Sequence, residues 1–154
     1  MATPMQKPFE QCEYKYDKLA RNYAKKMFRD MYGLRARDNA DHYGVDLILF
    51  NGAVVTGYAE VEIKFQLDNF NYDTLHIPER KKKFIDIDDI NPTMFCLFNL
   101  KGTVCYMTKG DYLKMLVPEE VRNSKIARGE FFYKVPMKLV KVISIEGGDA
   151  NGLG

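Results

Sequence analysis

The side chains with the most chemistry to offer stand in two short runs, Gly44-Val45-Asp46-Leu47-Ile48-Leu49-Phe50 and Tyr58-Ala59-Glu60-Val61-Glu62-Ile63-Lys64-Phe65. Both favour extended structure, and side chains along a strand alternate between its two faces. Glu60, Glu62 and Lys64 therefore share one face, while Val61, Ile63 and Phe65 fill the other. With Asp46 from the neighbouring strand, two or three carboxylates and an ammonium would converge on one point. Hard anionic oxygens of this kind suit a divalent cation such as magnesium, and such a site activates water against phosphate. A plainer reading competes, because Glu-Val-Glu-Ile-Lys also describes a half-exposed edge strand with its charges in water. Against it stands the run from Val45 to Phe50, apolar on both faces like a strand covered on both sides. An acid at its start sits beside the core, where Asp is disfavoured unless it is used.

An acid on one strand followed by acid-x-lysine on the next resembles the PD-(D/E)xK nuclease superfamily, the restriction-endonuclease-like fold, with a viral or phage member compatible with the pattern. The match is Asp46 and then Glu62-Ile63-Lys64, with Val45 where the family places proline. The resemblance implies that Asp46 and Glu62 hold one or two magnesium ions, manganese being a substitute, and that Lys64 orients or activates the attacking water. It implies hydrolysis of a DNA phosphodiester by an endonuclease, structure-selective cutting included, with RNA or an exonucleolytic mode as variants of the same chemistry. It also implies an α/β fold, a mixed central β-sheet flanked by helices. Many members carry an acid on the first helix that leans toward the metal, and Asp17 is the best match here; an acid favoured by the helix dipole is the plainer reading of Asp17. From another class, a non-catalytic nucleic-acid-binding or protein-binding domain that keeps the fold remains open.

Register decides which acids meet. With Asn51-Gly52 as a two-residue turn, Phe50 would face Ala53 and Asp46 would face Gly57. Glu62 would then lie five residues further along, roughly 17 Å at about 3.3 Å per residue, too far to share a metal. Either the turn is longer and centred nearer Val54, or a bulge at Thr56-Gly57 absorbs residues, or Glu60 is a ligand as well.

The chain's 154 residues predict one domain, spanning 1–146, with a glycine-rich tail over 147–154 that frays. Lys and Arg total 23 against 21 acids, so a net charge of +2 carries no global signature of nucleic-acid binding, and affinity for DNA must come from local patches. Cys12, Cys96 and Cys105 show no CxxC spacing, which argues against zinc clusters and a disulfide framework. The expected setting is cytoplasmic, the cytoplasm of an infected host included, with no membrane partner. The absence of a separate DNA-reading module leaves room for a homodimer.

Periodicity predicts a helix over Tyr14–Tyr32 stopped by Gly33, then a loop over Leu34–Tyr43 in which Asp38 and Asp41 are solvated and His42 is a minor candidate for proton transfer. Past Lys64 comes a polar and aromatic stretch, Gln66–Ile77, and then Pro78-Glu79-Arg80-Lys81-Lys82-Lys83-Phe84, a short helix opened by proline. Its four consecutive cations, Arg80, Lys81, Lys82 and Lys83, are candidates for DNA phosphate contacts, against a solvated basic face. Strands are expected over Thr93–Leu100 and Thr103–Thr108, a short helix over Asp111–Leu116, a polar connection over Val117–Arg128, and extended structure over Phe131–Ile145 broken at Pro136.

Overall fold

A computed structural model describes residues 11–41, 43–64, 72–122 and 130–145. Helix α1 (Gln11–Tyr32) buries Ala20, Tyr23, Ala24, Met27 and Phe28 on one stripe and ends where Gly33 turns to φ +66°, a conformation costly to residues with a Cβ. There follow β1 (Arg35–Asp38), β2 (Leu47–Asn51), β3 (Val54–Ile63), β4 (Thr74–Pro78), β5 (Thr93–Phe98), β6 (Val104–Lys109), α2 (Gly110–Leu113), β7 (Glu119–Glu120), β8 (Phe131–Pro136) and β9 (Lys141–Ser144). Two 3₁₀ helices, Glu79–Phe84 and Met137–Leu139, complete the described elements.

Six strands form one mixed sheet in the order β1-β2-β3-β5-β6-β9. Among the described residues only β3 and β5 run parallel, and a parallel pair needs a long crossover; here it passes through β4 and the first 3₁₀ helix. Helix α1 covers one face, packing on Leu47, Leu49, Ala59, Val61, Cys96, Phe98 and Met107. A second sheet, β4-β8-β7, belongs to the core on the other face, where Leu75, Ile77, Tyr133 and Val135 meet Phe95, Leu97 and Tyr106.

The fold is thus mixed α/β, with two corrections to the expected layout. Among the described residues the second face is covered by a three-stranded sheet and short helices, not by long helices, because Leu75 and Ile77 of β4 and Tyr133 and Val135 of β8 stand at two-residue spacing and bury that side against the large sheet. The expected loop over 34–43 contains β1, whose Ala36 packs toward α1 and whose Asp38 pairs with Arg21 at 3.2 Å and Lys25 at 3.1 Å. Asp38 is therefore not merely solvated. Among the described residues, no helix is long and apolar enough to cross a membrane.

The β2–β3 hairpin positions the acids. Asn51 pairs with Val54 across a Gly52-Ala53 turn, and the register then shifts: Phe50 pairs with Val55 but Leu49 with Gly57, leaving Thr56 as the extra residue of a bulge. Gly57 is required by close approach, since a Cβ there would meet the Pro92 carbonyl oxygen at 3.0 Å. The bulge brings Leu47 opposite Ala59, which sets Asp46 beside Glu60.

Candidate active site

Asp46 stands just before β2, where the ladder to β3 ends and leaves the Val61 N–H without a strand partner. Its Oδ2 accepts that N–H at 2.9 Å, and the Asp46 N–H in turn donates to Glu60 Oε2 at 2.9 Å. The two acids thus close a reciprocal clasp across adjacent strands. Glu60 is 6% exposed, and its other oxygen, Oε1, lies 3.3 Å from Lys81 Nζ. Lys81 arrives from the 3₁₀ helix that follows β4 and keeps only 17% of its side chain exposed.

Burial governs the electrostatics. Loss of solvent raises Asp46 above the ordinary carboxylate range, against the Val61 hydrogen bond and the Lys81 charge. Burial likewise raises Glu60 to about 8; Lys81 opposes the shift and Asp46 adds to it. Desolvation depresses the Lys81 ammonium, but Glu60, Glu62 and Asp46 together outweigh it and hold the amine above its usual value. Burial thus leaves two carboxyls that resist ionisation beside one retained cation, a balance that an added cation would shift toward the ionised carboxylates.

The cleft between the sheets is lined by Glu60, Glu62, His76, Lys81, Phe95 and Leu97, with room of about 10 Å³, on the order of a single water. Glu62 lies two residues beyond Glu60 on the same face, about 7 Å along the strand, and pairs with Lys64 at 3.6 Å. Register therefore joins Asp46 to Glu60, where the resemblance pairs it with Glu62, and leaves Glu62 and Lys64 as an adjoining pair. The turn falls one residue later than expected, at Gly52-Ala53, which moves the residue facing Asp46 by two positions, and the bulge at Thr56 moves it by one more, so that Glu60 is the partner of Asp46.

Other expected residues are placed differently. Asp17 is exposed on α1; it is Arg21, one turn on, whose charge reaches Asp46. Lys81 faces inward onto Glu60, whereas Lys82 and Lys83 are exposed and Arg80 is partly covered. Asp41 is a loop organiser, its Oδ1 accepting the Tyr43 N–H at 3.0 Å. His42, Arg128 and the tail 147–154 lie outside the described residues.

His76 was not a candidate from sequence. On β4 it lines the cleft, its Nε2 is 3.2 Å from the Thr74 hydroxyl, and its ring lies 5.9 Å from that of Phe132. Burial first, then Lys134 and Lys64, lower its pKa, so the ring is neutral at pH 7 and able to take a proton. The alternation in Thr74-Leu75-His76-Ile77 was the signal available for it.

The donor set fits magnesium in kind. Asp46 and Glu60 offer hard anionic oxygens, and magnesium is commonly held by one or two carboxylates with water and substrate phosphate completing the shell. Among the described residues no group of three acids, histidines or cysteines converges as a ready metal cluster, so protein ligation would rest on that pair, with Glu62 next along the strand. Compared with protein-family models, curated proteins and solved structures, the chain matches none.

Proposed function

We propose that this protein is a magnesium-dependent nuclease that hydrolyses DNA phosphodiester bonds at Asp46 and Glu60. The observation that carries the reading is the buried cross-strand clasp of these two carboxyls, of which Glu60 lines a cleft that also holds Glu62, His76 and Lys81. Acids set beside a core cost stability unless paired or used. A mixed sheet with the first helix packed on it, and the acids on consecutive strands, agrees with the resemblance to PD-(D/E)xK nucleases; the specific restriction-endonuclease-like fold is part of the proposal.

A bound magnesium ion would polarise the phosphoryl oxygen and favour deprotonation of the attacking water. The chain's own residues would do the rest. Asp46 and Glu60 would supply the anionic cradle, and Lys81, 3.3 Å from Glu60, would place positive charge beside the phosphate. Lys64, held by Glu62, sits on the same strand face to orient water, and neutral His76 is placed to move a proton at the cleft wall.

One observation favours a second reading, a domain that binds nucleic acid or protein without cutting: Lys81 already balances Glu60 at 3.3 Å, so the apo site is electrostatically partnered. A panel of labelled linear, branched, nicked and single-stranded DNA, incubated with and without magnesium, separates the two. Cleavage that needs magnesium and is lost in Asp46→Asn and Glu60→Gln supports the nuclease; mobility shifts with no cut product in any lane support the binding domain.

A further inference from the structure

We propose that Arg35 and Arg37 form a phosphate-binding rail on the β1–β2 wing of the large sheet, receiving the backbone of a DNA strand that passes over Asp46 and Glu60. The identity of the ligand rests on the nuclease reading; the rail itself rests on geometry. Along β1, Ala36 packs toward α1 and Asp38 pairs with that helix, so Arg35 and Arg37 project to the opposite face. There they meet Phe50, with guanidinium carbons 5.2 Å and 4.8 Å from its ring centroid. Phe50 is buried while both arginines are exposed.

One ring thus gathers two cations. Stacking fixes each guanidinium by its face and leaves N–H edges for planar, bidentate acceptors. Among the described residues neither arginine makes an ion pair, although Arg21, Lys25 and Lys26 on α1 all do. Two like charges over one ring repel, and an anion spanning them removes that cost. Arg37 pairs with Ile48, Ile48 with Tyr58, and Glu60 follows two residues on. Two strand spacings and two residue rises put the rail about 12 Å from the carboxylate clasp. That span is a few nucleotides of backbone, so one strand reaches both places.

The test is fluorescence anisotropy of a labelled single strand and its duplex across a salt series, with EDTA present so that nothing is cut. In Arg35→Gln/Arg37→Gln the slope of log affinity against log salt should fall by about 1.8 on the duplex and about 1.4 on the single strand, and affinity near 0.1 M salt by roughly 60-fold and roughly 25-fold, at about 0.9 and about 0.7 per phosphate contact. Arg35→Lys/Arg37→Lys should keep the slope while losing affinity, and serves if the glutamine protein proves unstable. Unchanged slope and affinity in the glutamine variant overturn the rail, and if the wild type then cuts with magnesium the nuclease reading stands without it. Arginine-dependent binding with no cleavage under magnesium keeps the rail and removes the nuclease. Equal displacement by polyglutamate would assign the rail to acidic protein and overturn DNA as its occupant.

Discussion

Glutamine at position 60 isolates the electrostatics of the clasp. Glu60 is 6% exposed and its carboxyl is raised from 4.5 to about 8, by burial first. A carboxyl whose folded pKa is raised holds its proton in the fold after the unfolded chain has released it. Its contribution is therefore most favourable below the unfolded value, declines through the window from 4.5 to about 8, and stays low above it. At about 1.36 kcal/mol per pH unit, the decline has a ceiling of about 5 kcal/mol, and it falls short of that because Lys81 and Asp46 readjust as Glu60 ionises. Denaturant unfolding in EDTA at several pH values between 5 and 8 measures it. The wild type should lose stability with rising pH, and Glu60→Gln should lose much less over the same range. The difference between the two slopes removes groups common to both proteins. Magnesium should restore wild-type stability most at pH 8, where the clasp is most anionic and the ion supplies the missing charge. Parallel slopes for the two proteins would refute the account of Glu60 as a proton-retaining acid.

Asp46→Ala should abolish magnesium-dependent cleavage with the fold retained, checked by circular dichroism and a gel assay; full activity in that variant sinks the site. Lys81→Met removes the partner of a buried carboxylate and should cost about 3 kcal/mol near pH 8, read from the urea midpoint, whereas an equal cost at pH 5 would show that Glu60 was already ionised there. Lys64→Ala should reduce turnover far more than DNA binding, and equal losses would make Lys64 a binding residue. Asp88 accepts from the Tyr58 hydroxyl at 2.6 Å and from the Ile90 and Asn91 N–H groups, which hold its carboxyl far below the usual range, the Tyr58 bond most. A depressed folded pKa contributes above the unfolded value and is lost on acidification. Asp88→Ala should therefore speed hydrogen exchange at Ile90 and Asn91 at pH 7, and unchanged protection would refute the contact.

Much was legible from local pattern, because local pattern is governed by the period of the backbone. The apolar stripe of α1 and its stop at Gly33, the short helix after Pro78, and the common face of Glu60, Glu62 and Lys64 all follow from 3.6-residue and two-residue repeats read over a few positions. The identity of the meeting acids did not follow, since a single bulge residue, Thr56, moves the facing partner of Asp46 and leaves no mark in the hydrophobic alternation. The basic run suggested four outward cations, for DNA phosphate or solvent; only the packing of the 3₁₀ helix over β4 and β8 turned Lys81 inward to Glu60 and left Lys82 and Lys83 outside. His76 became a wall of the cleft through the pairing of β4 with β8, which joins segments some sixty residues apart, Thr74 to Pro136. The sequence alone determined which side chains share a face. Tertiary structure decided which faces meet, because contacts between distant segments depend on register and burial summed over the whole chain, and neither is written in the period of a single strand.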